Sequence, residues 1–246
     1  MENTKFNIAV LVDGDNAQPK LIKEILEEVS KYGKATIRRI YGDWTQQQMN
    51  SWKEIINQYS ISPIQKFAYT TGKNSTDSSL IIEAMDILHS KNVEGFCIVS
   101  SDSDYTGLAK RIREEGLFVM GIGQKKTPSA FVQSCEIFTF TENLIIQIEN
   151  TPKAKTVANT KDKPQKETDT SKINLSIIDK AFDISTNEDD EAYISSIGAS
   201  IRKIDPSFDS RTYGFRNLTK LFESIGKYQV VKNEVNGLNH PLVRLK

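Results

Sequence analysis

The sequence predicts an α/β protein: an open, mostly parallel β-sheet with helices on both faces, followed by a small helical domain that ends in a β-hairpin. Three observations lead to this prediction. Short apolar runs alternate with longer amphipathic ones through residues 1–150. Residues 151–172 contain almost no large apolar side chains, and residues 173–246 combine helical periodicity with a strand–turn–strand pattern.

In the first domain, the apolar runs predict six strands and the amphipathic runs predict five helices. The first helix is the clearest, because Leu21, Ile25 and Val29 recur at helical spacing. The predicted strands are Phe6–Val12, Ala35–Tyr41, Ile64–Ala68, Phe96–Ser100, Phe118–Ile122 and Ile137–Thr139, and the predicted helices are Pro19–Lys31, Gln46–Tyr59, Asp77–His89, Tyr105–Glu115 and Glu142–Glu149. In such a sheet, ligands bind beyond the carboxyl ends of the strands, where the strand order reverses.

The composition excludes several classes of protein. The 32 basic residues balance the 32 acidic ones, so the total charge does not indicate a strongly basic nucleic-acid binder. No apolar run approaches the roughly 20 residues of a membrane helix, and the first residues lack the pattern of a signal peptide. Cys97 and Cys135 are too few for a disulfide framework or a zinc cluster, and we expect buried thiols in a cytoplasmic protein.

Residues 151–172 are predicted to be a flexible linker. They are rich in Lys and Thr and contain two prolines, with Val157 as the one large aliphatic side chain. Such a segment buries too little apolar surface to offset the entropy lost on ordering. The linker would separate a domain over residues 1–150 from one over residues 173–246.

Three polar clusters follow predicted strands or begin predicted helices. They are Asp13-Gly14-Asp15-Asn16, Lys73-Asn74-Ser75-Thr76-Asp77 and Ser100-Ser101-Asp102-Ser103-Asp104. Each cluster alone is also compatible with a turn or a helix cap, and Ser101 and Ser103 are interpreted as residues that cap the next helix and position the acids.

Taken together, the clusters predict a metal site. The carboxyl ends of parallel strands meet at one edge of a sheet, and carboxylates packed closely there repel one another. A divalent cation removes that repulsion, and a set of oxygen ligands suits Mg²⁺ or Mn²⁺ better than zinc. Asp13, Asp77 and Asp102 are the predicted ligands or water-positioning carboxylates. Such a site activates water and stabilises a leaving group in phosphoryl chemistry.

The same residues carry a family resemblance. AVLVDGDNA, YGDW, TGKNSTDSSLIIEAMD, FCIVSSDSDYTGLAKRIREEG and VMGIGQKKTPSAFVQSCEIF resemble the NYN-domain proteins of the PIN-like ribonuclease superfamily, in particular the limkain-type, LabA-like bacterial branch. The resemblance spans residues 6–147. It implies a PIN-like three-layer α/β/α fold and a metal-dependent nuclease acting mainly on RNA. By this resemblance, Asp13, Asn16, Asp77 and Asp102 form the polar set around the metal, and Asp104 is the second acid of its motif.

Three further residues of this domain are predicted to contact the substrate. Lys73 and the hydroxyl of Thr76 would hold the scissile phosphate, because a cation there offsets charge in the transition state. Trp44 follows a predicted strand and would stack on a nucleobase. An equally good interpretation is that Trp44 covers the edge of the core.

The C-terminal domain is predicted to be a compact α+β module of three helices and a β-wing, a winged-helix-like plan. The predicted helices are residues 173–184, 191–204 and 215–225, and a turn at Asn236-Gly237 separates two alternating strands. The run AYISSIGASIRKIDPSFDSRTYGFRNLTKLFES resembles the LOTUS domain, also called OST-HTH. This resemblance implies RNA binding and, in some members of the family, contacts with other proteins. Tyr193 stands where many members have Trp.

Basic and aromatic residues are interleaved in this domain, a combination that suits phosphate contacts and base stacking. We expect Phe215 to lie in the core, and the alternative for the cations is a solvated helix face. The predicted RNA-binding residues are Arg202, Lys203, Arg211, Tyr213, Arg216 and Lys220.

These observations predict a cytoplasmic, Mg²⁺- or Mn²⁺-dependent endoribonuclease whose C-terminal domain recruits RNA. The alternative is a non-catalytic RNA-binding regulatory protein that retains the fold. A haloacid-dehalogenase-type phosphatase is disfavoured because Asn16 and Ala17 stand where that class has a hydroxyl residue, and a topoisomerase-primase-like site requires Glu rather than Asp after the first strand.

Overall fold

The computed structural model describes residues 6–67, 75–150, 173–187, 190–235 and 238–246. The chain divides into two compact units, Met1–Ile145 and Ile146–Lys246, each with its own buried core residues. The predicted linker, residues 151–172, lies outside the described residues. Within the described part of the chain, no helix is long and apolar enough to cross a membrane.

The first unit is built on a parallel sheet of six strands. The strands are β1 (Phe6–Asp13), β2 (Gly33–Gly42), β3 (Ser62–Gln65), β4 (Gly95–Val99), β5 (Phe118–Gly123) and β6 (Ile137–Phe140), in the spatial order β3-β2-β1-β4-β5-β6. The order therefore reverses between β1 and β4, which is the position where open α/β sheets bind their ligands. The predicted α/β class is confirmed.

Helices cover both faces of this sheet. They are α1 (Ile22–Ser30), α2 (Lys53–Gln58), α3 (Ser75–Ser90), α4 (Thr106–Glu114), α5 (Ser129–Ser134) and α6 (Thr141–Asn150), with 3-10 turns at Pro19–Leu21, Gln47–Trp52 and Ser103–Tyr105. One core cluster includes Leu80 and Ala84 of α3 with Leu11 of β1, and the other includes Ile25 of α1 with Val10 of β1. Alternate residues of β1 thus face opposite layers, as in a sheet buried on both sides.

Several elements of the first unit differ from the prediction in their bounds, and the predicted helix Gln46–Tyr59 is a 3-10 turn followed by α2. Strand β3 begins at Ser62, two residues before the predicted start, and passes through Pro63, which an edge strand tolerates. Helix α5 was not predicted, because a helix of six residues is too short to show periodicity.

The second unit is a small α+β module. Its helices are α7 (Leu175–Ser185), α8 (Ile194–Ile204) and α9 (Leu218–Ser224), and its strands are β7 (Glu191–Tyr193), β8 (Tyr228–Val231), β9 (Glu234–Val235), β10 (Leu238–Asn239) and β11 (Leu242–Leu245). Three strands form an antiparallel sheet in the order β7-β11-β8, and β9 pairs with β10. Residues 191–193 were predicted as helix, which is wrong, because they pair with residues 242–244 of β11. The predicted turn residues 236 and 237 lie outside the described residues.

Candidate metal and RNA site

The ends of β1 and β4 are joined by a shared hydroxyl group. Val12 is paired with Val99, so that Asp13 and Ser100 follow side by side. The Ser100 hydroxyl donates a hydrogen bond to Asp13 Oδ2 at 2.9 Å and accepts one from the Asp102 backbone N–H at 3.1 Å. The structure therefore brings Asp13 and Asp102 to the same edge of the sheet, at the point where the strand order reverses.

The Asp13 side chain is fixed by its own turn as well as by Ser100. Its Oδ1 accepts hydrogen bonds from the backbone N–H groups of Asp15 and Asn16 at 3.2 and 3.3 Å, and Asn16 Nδ2 donates to Oδ2 at 2.7 Å. Only 1% of Asp13 is exposed. An ionised carboxylate accepts hydrogen bonds and donates none, so this set of donors suits the charged form.

Gly14 lets the chain leave β1 in direct contact with β2. Its N–H donates to the Tyr41 carbonyl at 2.9 Å, and its carbonyl accepts from Trp52 Nε1 at 3.2 Å. A Cβ atom at position 14 would lie 2.7 Å from the Tyr41 oxygen. Glycine is therefore required here for a close approach of two backbones, which sets the direction of the turn that carries Asp15 and Asn16.

The second acidic motif combines a cap with an open carboxylate oxygen. Asp102 caps the 3-10 turn Ser103–Tyr105, and its Oδ1 accepts from the Asp104 backbone N–H at 3.0 Å. Within the described part of the chain, nothing donates a hydrogen bond to the second oxygen of Asp102, which is half-buried. Asp104 is exposed. This oxygen of Asp102 is thus available to a ligand.

Serine residues hold this region in a different way from the predicted one. The capping side chain belongs to Asp102, whereas Ser101 Oγ accepts from the Gln124 backbone N–H at 2.9 Å and ties the loop after β5 to the motif. Ser100, which was not among the predicted site residues, contacts both acidic motifs. The signal that could have found it is a hydroxyl residue one position beyond the strand that pairs with β1.

Helix α3 brings the third predicted acidic position towards the same layer. Position 77 lies three residues before Leu80 and seven before Ala84, both fully buried, and these spacings fall on one side of a helix. Helix α3 also contacts the 3-10 turn after Asp102. Only the helical backbone is described at Thr76 and Asp77, and Lys73 lies outside the described residues. The roles predicted for these three residues remain predictions.

The donor set fits a hard divalent cation. Asp13, Asn16 and Asp102 offer carboxylate and amide oxygens, which Mg²⁺ and Mn²⁺ prefer. Neither cysteine belongs to this edge, because both are buried in the core. Among the described side chains, which do not include that of Asp77, no three from His, Cys, Asp and Glu form a group that could hold a metal ion.

The end of β2 carries a second polar arrangement around Asp43. This carboxylate accepts hydrogen bonds from the Thr45 hydroxyl at 2.6 Å, the Gln65 amide at 2.9 Å and the Gln46 amide at 3.2 Å. These bonds, in that order of strength, hold the pKa of Asp43 below its usual value. Asp43 therefore fixes the loop between β2 and the next turn.

Trp44 is anchored beside this loop. Its indole N–H donates to the Ile64 carbonyl of β3 at 3.0 Å, and its half-buried ring packs against the core cluster that contains Trp52. This placement matches the alternative in which Trp44 covers the edge of the core. Base stacking by the exposed part of the ring remains a prediction.

The predicted RNA-binding residues of the second unit fall into three groups. The Arg211 guanidinium is held by Asp209, with Nη2 at 2.6 Å from Oδ2, and Lys220 bonds to Glu223. Tyr213 packs against Phe208 with ring centroids 5.6 Å apart, and burial raises its pKa. Arg202, Lys203 and Arg216 have no ion pair with any carboxylate that the structure describes.

Two family comparisons agree with this architecture. The fold and the site define an α/β domain with acidic side chains at the point where the order of its parallel strands reverses. The NYN domain model matches residues 7–146, and the OST-HTH/LOTUS domain model matches residues 173–240. The chain therefore belongs to the NYN family and carries a C-terminal OST-HTH/LOTUS domain, a type of domain that binds RNA. The resemblances to the NYN and OST-HTH/LOTUS families are confirmed.

Solved structures that are distantly similar to this chain include one of a bacterial protein. It is a crystal structure of a protein of unknown function from Vibrio parahaemolyticus, with 17% sequence identity. The similarity covers 56% of this chain and 94% of that chain, with a TM-score of 0.47. No curated protein matches.

Proposed function

We propose that this protein is an Mg²⁺- or Mn²⁺-dependent endoribonuclease. Its domain over residues 1–150 would cut RNA, its domain over residues 173–246 would hold RNA, and residues 151–172 would be the tether. The observation that carries the proposal is the Ser100 hydroxyl, which joins Asp13 and Asp102 where the order of the parallel strands reverses.

In this proposal the role of each residue follows from how firmly its side chain is fixed. Asp13, fixed by Asn16 and Ser100, supplies a charged carboxylate of constant position. Asp102 offers its open oxygen and Asp77 the third carboxylate, and together they would hold the cation. Asp104 would orient water or substrate from the exposed side of the same motif.

The metal ion, when bound, supplies an activated water and offsets the charge that develops on the phosphate. Lys73 and Thr76 would contact the scissile phosphate. A fixed set of charged groups stabilises the transition state more than a mobile set does, because it needs no rearrangement when the transition state forms.

The metal-dependence assay tests this proposal directly. Purified full-length protein is incubated with labelled single-stranded, duplex and quadruplex-forming RNA, with Mg²⁺, with Mn²⁺ or with EDTA. We expect internal cleavage products with a metal and none with EDTA. The Asp102→Asn variant should lose about 10²-fold or more of the cleavage rate, since it loses a ligand charge. Its RNA affinity should be unchanged, because the C-terminal domain is intact.

A second outcome would identify the alternative function. The alternative is a non-catalytic RNA-binding regulator that retains the fold, and the match of residues 173–240 to the OST-HTH/LOTUS domain is the observation that supports it. RNA binding without a metal-dependent product would support that function. Full cleavage by Asp102→Asn would reject the site.

A further inference from the structure

A groove lies at the opposite end of β2 from the candidate metal site. It exists because β3 pairs only with Arg39–Gly42, so among the described strands residues 34–38 of β2 have no partner on the side away from β1. The groove has a volume of about 540 Å³, within the usual range of ligand sites. Its lining residues are Lys34, Ala35, Thr36, Ile37, Arg38, Arg39, Ser60 and Ser62.

The lining of this groove is suited to an anion. It contains three cations and three hydroxyl residues, and no carboxylate is among its lining residues. Ammonium and guanidinium groups only donate hydrogen bonds, and hydroxyls can donate them. Hydrogen bonds from cationic donors to phosphate oxygens are among the stronger ones in proteins.

The charge of the groove comes from two of the three cations. Arg39 Nη1 lies 2.8 Å from Glu83 Oε2, so the charge of Arg39 is compensated. Arg38 instead donates to two backbone carbonyls, from Nε to Ala35 at 3.2 Å and from Nη1 to Tyr59 at 2.9 Å. These bonds fix its guanidinium without neutralising it. Neither Arg38 nor the exposed Lys34 has an ion pair with a carboxylate in the described part of the chain.

We propose that this groove binds phosphate groups of the RNA backbone, away from the point of cleavage. Lys34 lies seven positions before Tyr41, the partner of Asp13, which corresponds to about 23 Å along the strand. One RNA strand bound at both ends of β2 would therefore span several nucleotides. The choice of RNA as the source of phosphate rests on the proposed function, because a free mononucleotide shares the same chemistry.

Lysine footprinting on the full-length protein tests this proposal. The lysines are acylated in EDTA, so that RNA is not cut, and the modification of each residue is measured by mass spectrometry. A single-stranded RNA of about 15 nucleotides should slow the acylation of Lys34 about threefold or more, as expected for a phosphate contact. Lys110, exposed on α4, should be unaffected.

The same footprinting with two other ligands identifies the source of the phosphate. AMP and inorganic phosphate are added at the same phosphate concentration as the RNA. Protection of Lys34 by RNA alone supports a site for the polynucleotide backbone. Protection by AMP or phosphate without protection by RNA overturns the RNA assignment, and no protection at all overturns the groove as a phosphate site.

A charge reversal with a matched control gives a second readout. Lys34→Glu should lower RNA affinity several-fold, and the slope of log affinity against log salt should become shallower by about 0.7. Lys110→Glu makes the same charge change on helix α4 and should alter neither value. Equal effects of the two variants would reject the proposal. Both measurements are made without cleavage, so an inactive protein would refute the nuclease and leave this test intact.

Discussion

Asp13 in the NYN domain accepts hydrogen bonds from Asn16, Asp15 and Ser100, whereas Lys203 and Arg216 in the OST-HTH/LOTUS domain are exposed and have no ion pair with a described carboxylate. The first group is fixed in position and the second is free to move. Chemistry at a phosphate needs fixed charges, because misplacement by about 1 Å is costly. Phosphate binding needs net charge, and mobile cations can adapt to the backbone that they contact.

The largest expected loss of activity should come from removing the Ser100 hydroxyl, one of the groups that fix Asp13. Ser100→Ala deletes the hydroxyl that joins the two acidic motifs. We expect a loss of about 10- to 100-fold in cleavage rate and a higher Mn²⁺ concentration for half-maximal activity, as for other residues that orient metal ligands. The variant Ser103→Ala, at an exposed position of the same loop, is the matched control. A lower melting temperature with an unchanged Mn²⁺ requirement would show that Ser100 is only structural.

A smaller effect should come from the free cations of the second domain. The double variant Lys203→Ala, Arg216→Ala removes two uncompensated charges, so RNA affinity should fall and the salt slope should become shallower by about 1.4. Cleavage at saturating RNA should be unchanged. Lys220→Ala, which removes a cation already bonded to Glu223, should have the weaker effect. If Lys220→Ala weakens RNA binding as much as the double variant does, the distinction between paired and unpaired cations is wrong.

The smallest effect should come from Asp43, which is fixed by its neighbours but only partly buried. Its lowered pKa means that its charged form stabilises the fold above its ordinary pKa and that this contribution is lost as the pH falls below it. The free energy of unfolding, measured by urea denaturation between about pH 5 and pH 3, should depend less on pH in Asp43→Asn than in the unchanged protein. An identical pH dependence in both proteins would show that the Thr45 and Gln65 bonds do not persist in solution.

Much of the sheet edge could be predicted from the sequence. DGDN and SSDSD each follow a strongly apolar run, and parallel strands place such ends together, so the proximity of Asp13 and Asp102 follows from pattern and topology. The role of Ser100 could not be predicted in the same way. It depends on the register of β1 against β4, which a single sequence does not reveal.

Other errors had a similar cause. Residues 191–193 have the composition of a helix start, but pairing with β11, about 50 residues later in the chain, makes them a strand. Arg211 and Arg216 look alike in the sequence, yet Asp209 neutralises only the first. The local pattern indicates the type of an element, whereas long-range contacts decide which charges stay free.

Residues 34–38 of β2, which β3 leaves unpaired, have a consequence for how the protein behaves at high concentration. An unpaired strand edge is a template on which another chain can add a strand, and proteins protect such edges with bulges and charged side chains. Both devices are present: the register between β1 and β2 shifts so that Thr36 is an extra residue, and Arg38 covers the Ala35 carbonyl. Lys34 adds an exposed charge beside them. Lys34 and Arg38, the two cations that give the groove its charge, thus also protect this edge against aggregation.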